Sequence, residues 1–389
     1  MTPQDLVIAR EIGRVRGARR GATLIAVGGI HGNETAGLVA GKRVLDRLGR
    51  LPSDASVDGG SSLRGELVVF GGNLAAMRAK VRYLSKDMNR LWQDARIEGL
   101  EARRTDDDLD SEDREQLELL DAIRKTIAEA RGPVFIVDLH TTSAHGVPFV
   151  IFGDTLPQRH FVSELPLPII FGLEEQVDGV LSEYWTRQGC VTFTIEGGQH
   201  DDPGSIDNLE AVLLLAAQAA GLFPAGSIAE TRTAHALLES RRGNLPHVME
   251  VVKRHAIAAE DQFRMEPGFR NLDHAHEGQL LARDRKGEIR APKNGLVLLP
   301  LYQGLGSDGF FWGRAVGNAR LLASEALRNL ALDRFFDWLP GVERDRTCPT
   351  RLVIDTRIAR LYPLEVFHVL GYRRVRERDG EITIERQPG

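Results

Sequence analysis

The sequence predicts an α/β fold in which helices cover a central sheet. Short apolar runs alternate with segments of helical periodicity through the first 220 residues, and this alternation is typical of layered α/β proteins. The run Thr23–Ile30 is rich in β-branched residues and carries glycines near its end, which favours a buried strand that leads into a turn. Apolar residues then recur at helical spacing from Leu38 to Leu48 and predict a helix that packs on the sheet.

The same pattern continues along the chain. Further strands are predicted at Leu67–Phe70, Val134–Val137, Phe149–Phe152 and Val191–Ile195, and helices are predicted over 117–127 and Leu209–Ala220. The charged segment Gln93–Glu115 is predicted to be a solvated loop or the exposed start of a helix. Past residue 225, short β-like runs are separated by Gly, Pro and Asp. We therefore expect an α/β domain over 1–225, and a smaller β-rich domain with a mixed α/β tail over 226–389.

Composition narrows the class of protein. A net charge of −5 gives no support for a nucleic-acid partner, which would favour a basic face. The two cysteines, Cys190 and Cys348, form neither a disulfide framework nor a CxxC motif. The N-terminus lacks the apolar core of a secretory signal, and no apolar stretch approaches the roughly 20 residues that span a bilayer. We expect a cytoplasmic enzyme without a membrane partner, and a homo-oligomer is compatible with the sequence.

The strongest chemical signal follows the first predicted strand, in Gly-Gly-Ile-His-Gly-Asn-Glu at 28–34. His31 and Glu34 lie three residues apart in the turn that opens a helix, so both side chains can point to one spot. His140 comes where a second buried strand ends, and Asp138 lies two residues before it. Two imidazoles and a carboxylate are ligands that a catalytic zinc uses while a fourth position is left to water. Asp138 would then orient a ligand histidine.

Two further segments carry polar groups of chemical interest. Glu196 closes an apolar strand and precedes two glycines, and a carboxylate there is costly to bury without a purpose. It fits a general base that takes a proton from zinc-activated water and passes it to a leaving nitrogen. The segment Asn73–Trp92 contains Arg82, Asn89 and Arg90. A guanidinium group there can bind a substrate carboxylate, and a second one can stabilise an oxyanion.

Each segment also has a purely structural explanation when it is taken alone. His31 and Glu34 can lie on a solvated turn, and His140 can be a structural histidine. Glu196 can cap the next helix from an edge strand, and Asn73–Trp92 can be a basic surface helix. Three histidines close to the motifs are candidates to line a cleft: His145, His160 and His200.

Taken together, the four segments resemble the succinylglutamate desuccinylase/aspartoacylase family, relatives of the zinc carboxypeptidases. The matching motifs are GGIHGNE at 28–34, Arg82-Tyr83 through Asp87-Met88-Asn89-Arg90, Asp138-Leu139-His140-Thr141-Thr142, and Ile195-Glu196-Gly197. The resemblance implies a zinc carboxypeptidase-like catalytic domain over 1–225, built as a mixed sheet flanked by helices, with a smaller C-terminal β-rich domain. It also implies that His31, Glu34 and His140 hold one zinc ion per chain and that Glu196 is the general base.

The resemblance implies substrate contacts as well. Arg82 would polarise the scissile carbonyl, while Asn89 and Arg90 would hold a substrate carboxylate. The sequence departs from the family pattern at Leu74, where members often have proline after the asparagine. Tyr302 is a candidate for the substrate-contacting tyrosine that members carry late in the chain.

The resulting functional hypothesis is a zinc-dependent hydrolase that cleaves the amide bond of an N-acyl amino acid with a free carboxylate. N-succinylglutamate is the preferred candidate substrate, because DMNRLW at 87–92 looks closest to the desuccinylase version of that segment. One alternative is a zinc carboxypeptidase or peptide amidase that uses the same metal centre. A non-catalytic binding protein on this scaffold is the alternative from a different class. A nucleotide-binding module is disfavoured, because GGIHGNE matches neither GxGxxG nor GxxxxGKS.

Overall fold

The computed structural model describes residues 7–51, 63–173, 176–303 and 306–330. Further along the chain it describes 336, 338–346, 348, 350–355, 358, 367, 369–372, 374–378 and 381–386. The expected mixed α/β tail therefore lies partly outside the described residues. Within the described residues, no helix has the length and apolar character needed to cross a membrane.

The strands of the described chain occur in two groups. Those before residue 200 are β1 (Glu11–Arg16), β2 (Arg19–Gly28), β3 (Arg64–Gly71), β4 (Val134–Thr142), β5 (Phe149–Phe152), β6 (Ile169–Phe171) and β7 (Val191–Gln199). The later ones are β8 (Val248–Ala256), β9 (Arg264–Met265), β10 (Asp273–Ala275), β11 (Leu280–Asp284), β12 (Gly287–Arg290), β13 (Gly295–Leu298), β14 (Asp308–Ala315), β15 (Val342–Arg344), β16 (Arg351–Asp355), β17 (Arg374–Arg378) and β18 (Glu381–Glu385).

Most helices of the described chain lie between the early strands. They are α1 (Ala36–Leu48), α2 (Leu74–Ala79), α3 (Asp94–Ala102), α4 (Ser111–Glu129), α5 (Leu156–Ser163), α6 (Leu181–Arg187), α7 (Gly204–Ala219), α8 (Glu230–Arg242) and α9 (Asn318–Asn329). Short 3₁₀ turns occur at Met88–Arg90 and Ala259–Asp261.

One large mixed sheet organises the described chain. Its eleven strands run in the order β1-β3-β2-β4-β7-β5-β6-β8-β14-β13-β10. Strands β3, β2, β4 and β7 are parallel neighbours, whereas β5 runs antiparallel to β7. Two smaller antiparallel sheets follow, β12-β11-β9 and β15-β16-β18-β17.

Helices cover both faces of the large sheet, because its central strands are apolar on both sides. On one face, Leu38 and Val44 of α1 pack in one core with Leu209 and Val212 of α7. On the other face, a second core contains residues of α4 and α6: Leu119, Leu120, Ile123, Leu181, Tyr184 and Trp185. The result is a three-layer arrangement whose central parallel strands share one carboxyl edge.

The large sheet continues past residue 225. Strand β8 pairs with β6 in parallel and with β14 in antiparallel orientation, so strands from the later part of the chain extend the same sheet. The later part is β-rich, with the helix α9 added. A division of the chain at residue 225 stays a prediction.

The predicted fold class, a mixed sheet flanked by helices with smaller β-rich sheets toward the C-terminus, is confirmed. The apolar runs predicted as strands are strands, although β4 and β7 extend further than their apolar residues do. The charged segment Gln93–Glu115 contains the helix α3 in addition to the start of α4. A continuous surface helix over Asn73–Trp92 is wrong, because the segment has only α2 and one 3₁₀ turn with irregular chain between them.

Candidate active site

The sheet brings the predicted site residues to one edge. Strands β2, β4 and β7 are parallel neighbours, and ligands of α/β proteins bind at the carboxyl ends of such strands. His31 follows β2, His140 lies near the end of β4, and Glu196 lies near the end of β7. His140 and Glu196 are partners in the β4–β7 register, so they sit side by side. The spacing of the motifs alone could not show that these strand ends are adjacent.

Glycines allow the turn after β2 to approach its neighbours closely. Gly29 has a φ of +70°, which favours glycine. A Cβ atom on Gly32 would lie 2.2 Å from the backbone of Ala76, so a side chain does not fit there. The turn is closed by the backbone N–H of Glu34, which donates to the carbonyl of His31 at 3.0 Å. This geometry points both side chains toward one another.

His31, Glu34 and His140 form a compact buried cluster. The Nδ1 atom of His31 lies 2.9 Å from Oε1 of Glu34, and the Nδ1 atom of His140 lies 2.9 Å from Oε2 of Glu34. One ligand atom from each residue lies within 4.8 Å of the others. Two imidazole nitrogens and one carboxylate oxygen match the donor set of a catalytic zinc site. Among the described residues, this is the one group of three or more such side chains that fits a metal ion.

Each histidine is held from behind by a second carboxylate. The Nε2 atom of His140 lies 2.9 Å from Oδ2 of Asp138, and the Nε2 atom of His31 lies 3.1 Å from Oδ1 of Asp87. Such contacts fix the ring orientation and leave Nδ1 as the atom that faces Glu34. The sequence predicted this role for Asp138 but not for Asp87. The sequence does contain an acidic residue in the motif RYLSKDMNR, which is Asp87. The sequence does not reveal that this residue lies next to His31 in space.

The charges of this cluster shift one another's pKa values. Burial opposes ionisation of Glu34, but the charge of His31 and the hydrogen bonds from both imidazoles hold the pKa of Glu34 well below its usual range. Burial also opposes the charged form of His140, yet the Asp138 carboxylate raises the pKa of His140 well above its usual range. The pKa of Asp87 is lowered in a similar way, because the charges of His31 and Arg82 outweigh the effect of burial. The site therefore favours an ionised carboxylate at its centre.

Glu196 lies beside this cluster in a different electrostatic environment. Removal of its carboxyl group from water, together with the nearby charge of Glu34, raises the pKa of Glu196 to about 8. Its Oε2 atom is buried and has no hydrogen-bond partner among the described residues. Within the cavity that the cluster opens onto, Glu196 is thus a carboxyl group with an uncommitted oxygen. A group of this kind can accept and release a proton near neutral pH.

Arg82 is an arginine in direct contact with this cluster. Its Nη1 atom lies 3.4 Å from Oε1 of Glu34, and its Nη2 atom donates to Oδ2 of Asp87 at 3.0 Å. Those contacts hold the guanidinium group against the cluster and, with Glu196, raise the pKa of Arg82 in spite of its burial. Arg82 is therefore positioned next to the groups predicted to carry the chemistry.

Asn89 and Arg90 have different environments. Asn89 is buried, its Oδ1 accepts from the backbone N–H of Leu181, and its Nδ2 lies 3.3 Å from Nε2 of His140. Its amide thus holds the start of α6 next to the histidine. Arg90 is more exposed and donates from Nη2 to Oδ2 of Asp308 at 3.2 Å. Asp308 begins β14, and no local sequence pattern indicates that it lies next to Arg90.

The candidate site opens into a cavity of about 150 Å³. The site residues that line it are His31, Glu34, Arg82, Asp87, Asn89, Arg90, His140 and Glu196. His200 also lines it and lies 2.8 Å from Oγ1 of Thr141 through its Nδ1 atom, and burial lowers the pKa of His200. His145 and His160 are not part of the described lining. The hydroxyl of Tyr302 lies outside that lining, because it donates to the carbonyl of Glu266 at 2.8 Å.

Comparison with known proteins identifies the family to which the chain belongs. The model of the succinylglutamate desuccinylase/aspartoacylase catalytic domain matches residues 20–219, just over half of the 389 residues. The succinylglutamate desuccinylase of Serratia proteamaculans (strain 568) is 36% identical over 125 residues. The match covers 32% of this chain and 33% of the relative. The chain thus spans about a third of the length of that relative.

Solved structures show the same fold. The succinylglutamate desuccinylase/aspartoacylase from Rhodobacter sphaeroides superposes with a TM-score of 0.56 at 15% identity, over 78% of this chain and 88% of that one. The succinylglutamate desuccinylase from Chromobacterium violaceum superposes with a TM-score of 0.50 at 20% identity, over 78% and 86% of the two chains.

A large mixed sheet with a buried His–Glu–His cluster at its carboxyl edge defines an α/β protein with a group of side chains that could hold a metal ion. Within that class, the chain belongs to the succinylglutamate desuccinylase/aspartoacylase family, which is hydrolytic. The family resemblance predicted from the four motifs is confirmed.

Proposed function

We propose that this protein is a zinc-dependent amidohydrolase that cleaves the amide bond of an N-acyl amino acid bearing a free carboxylate. The observation that carries the proposal is the buried cluster of His31, Glu34 and His140 beside the uncommitted carboxyl oxygen of Glu196. The hydrolytic character of the family supports the same type of reaction. N-succinylglutamate, the substrate predicted from the sequence, is the first compound to test.

In this proposal His31, Glu34 and His140 would hold the zinc ion, and the Nδ1 atoms that face Glu34 would be the histidine donors. Their donor set and close spacing fit zinc, and the Nε2 atoms are already engaged by Asp87 and Asp138. When bound, zinc would supply Lewis acidity, which polarises a carbonyl group and lowers the pKa of water.

Glu196 acts as the proton carrier of the proposed reaction. A general base must be ionised when it accepts a proton, and a pKa of about 8 in the protein alone allows ionisation near neutral pH. A positive charge at the neighbouring cluster would lower that pKa further. After accepting the proton, the same carboxyl group can donate it to the amine that leaves.

The arginines bind and orient the substrate. Arg82, fixed by Glu34 and Asp87, would donate to the carbonyl oxygen of the scissile amide as negative charge develops on it. Arg90 would pair with the substrate carboxylate, since its guanidinium group is the less buried of the two. Asn89 would act with Arg90 and also keep His140 in place.

The first experiment measures metal content and hydrolysis on the same purified sample. We expect about one zinc per chain and release of free amino acid from a panel of N-acyl amino acids that stops when a chelator is added. His31→Ala should abolish tight zinc binding while the fold is retained. Zinc retained by this variant would remove His31 from the ligand set. A protein with neither metal nor hydrolysis would instead support a binding protein on this scaffold.

A further inference from the structure

One wall of the candidate active-site cavity is apolar. Among the described residues, side chains from β5, from the segment between β6 and α6, and from β13 to β14 line it: Ile151, Leu173, Val177, Val180, Leu299 and Phe311. These side chains belong to, or pack against, a single hydrophobic cluster. The cavity is therefore an opening in an apolar core on this side. Water on such a wall is readily displaced by an apolar group of a ligand.

The polar scaffold behind this wall holds it in position. Asn271 donates from Nδ2 to Oγ1 of Thr142 at the end of β4 and accepts the backbone N–H of Leu299 on Oδ1 at 2.8 Å. Leu299 has a φ of +50°, a conformation that is unfavourable for a leucine. Such backbone strain persists only where the surroundings enforce it, and it is frequent at ligand sites. The wall is thus built against the strand that carries His140.

The cavity has little capacity for negative charge. Among the described residues, the lysines and arginines that line the cavity are Arg82 and Arg90. Arg82 is held by Glu34 and Asp87, and removing it from them would take one counter-charge away from two buried carboxylates. Arg90 is different, because its partner Asp308 also pairs with a second cation, Arg254. One guanidinium group can therefore turn to a substrate without that cost.

From this wall and this charge distribution we infer that the preferred substrate is an N-acyl amino acid with a single carboxylate and an apolar group, either in its acyl chain or in its amino-acid side chain. The inference rests on the proposed function. N-succinylglutamate carries three carboxylates, and two of them would enter the cavity without a cationic partner. A substrate with one carboxylate would pair with Arg90 and place its apolar group on the wall.

The test is a comparison of kcat/KM across two series of substrates. In the acyl series, N-butanoylalanine is compared with N-acetylalanine; in the side-chain series, N-acetylleucine is compared with N-acetylalanine. Burial of two or three added carbons should raise kcat/KM by about tenfold or more in at least one series. The series that responds identifies which part of the substrate contacts the wall. N-succinylglutamate and N-acetylaspartate, measured alongside, should be poorer substrates than the best apolar compound.

A variant of Leu301, which lines the same cavity beside the wall residue Leu299, provides a second readout. Leu301→Arg adds a cation to the cavity lining, whereas Leu322→Arg adds the same charge on the exposed face of α9. Leu301→Arg should move the ratio of kcat/KM for N-succinylglutamate over N-acetylleucine upward by about tenfold, the scale of one charge-assisted contact. Leu322→Arg should leave the ratio unchanged.

The outcomes separate the inference from the proposed function. Hydrolysis that is fastest with N-succinylglutamate or N-acetylaspartate, or that gains nothing in either series, overturns the inference and leaves the amidohydrolase intact. If no compound is hydrolysed, the proposed function fails, and calorimetric binding decides the inference. Tighter binding of N-butanoylalanine or N-acetylleucine than of N-succinylglutamate would uphold it, and the reverse order would overturn it.

Discussion

Asp138 provides the sharpest test of the proposed zinc centre, because it contacts the ligand residue His140 and is not part of the described cavity lining. Its side chain is 1% exposed, and its Oδ2 atom lies 2.9 Å from Nε2 of His140. Loss of such a carboxylate behind a ligand histidine lowers metal affinity by about 10- to 100-fold, or about 1.4 to 2.7 kcal/mol. Asp138→Asn removes the charge but keeps an oxygen that can accept from the ring, so we expect a loss near tenfold. Asp138→Ala removes both and should approach 100-fold.

The assay is the zinc Kd, measured by competition with a chelating dye. Asp107→Asn, an exposed substitution that removes a charge outside the cavity, is the matched control and should bind zinc as the wild type does. The melting temperature of each metal-free variant shows whether it has folded. A folded Asp138→Ala variant whose zinc Kd stays within about threefold of wild type would refute the assigned role of Asp138.

Three further predictions concern the neighbouring groups. Glu196→Gln should retain zinc and lose at least about 100-fold in kcat, the scale of a general base, and a near-normal rate in the substrate assay would remove Glu196 from that role. Arg90→Ala should raise KM about tenfold or more for substrates with a free carboxylate, while the corresponding substrate amides should show little change. In the metal-free protein, folding raises the pKa of Glu196 from 4.5 to about 8 and holds the pKa of His140 well above 6.5. The folded state therefore loses stability as the pH rises, from 4.5 through about 8 for Glu196 and from 6.5 upward for His140, so both groups lower the stability between pH 6.5 and 8. The melting temperature should fall over that range, and Glu196→Gln should flatten the decline; a rise over the same range would contradict these assignments.

Much of the candidate site could be predicted because its residues lie at the ends of apolar runs. A buried strand such as β4 is recognisable from Val134–Val137, and a polar residue just beyond it must face either the core or a cleft. His140 and Asp138 were found in this way. Their pairing could also be expected, since residues two apart on a strand share a face.

Other features depend on contacts that no local pattern contains. The contact of Asp87 with His31 joins residues 56 positions apart through an irregular segment. Asn73 caps a helix of only six residues, and Lys80 ends that helix in a left-handed conformation. The basic segment 73–92 therefore does not form one long helix. Asp308 and two residues of the cavity wall, Leu299 and Phe311, come from the later part of the chain, where β14 pairs with β8 in the large sheet.

The in-register pairing of His140 with Glu196 has a consequence for how this protein can change over time. Side chains alternate between the two faces of a strand, so one residue gained or lost within β4 or β7 would turn a member of this pair to the opposite face. The apolar character of both strands would survive such an indel, and the sheet would still be covered by helices. Point substitutions in these strands can therefore accumulate gradually. Insertion or deletion of a single codon, in contrast, would give a protein that still folds but is inactive.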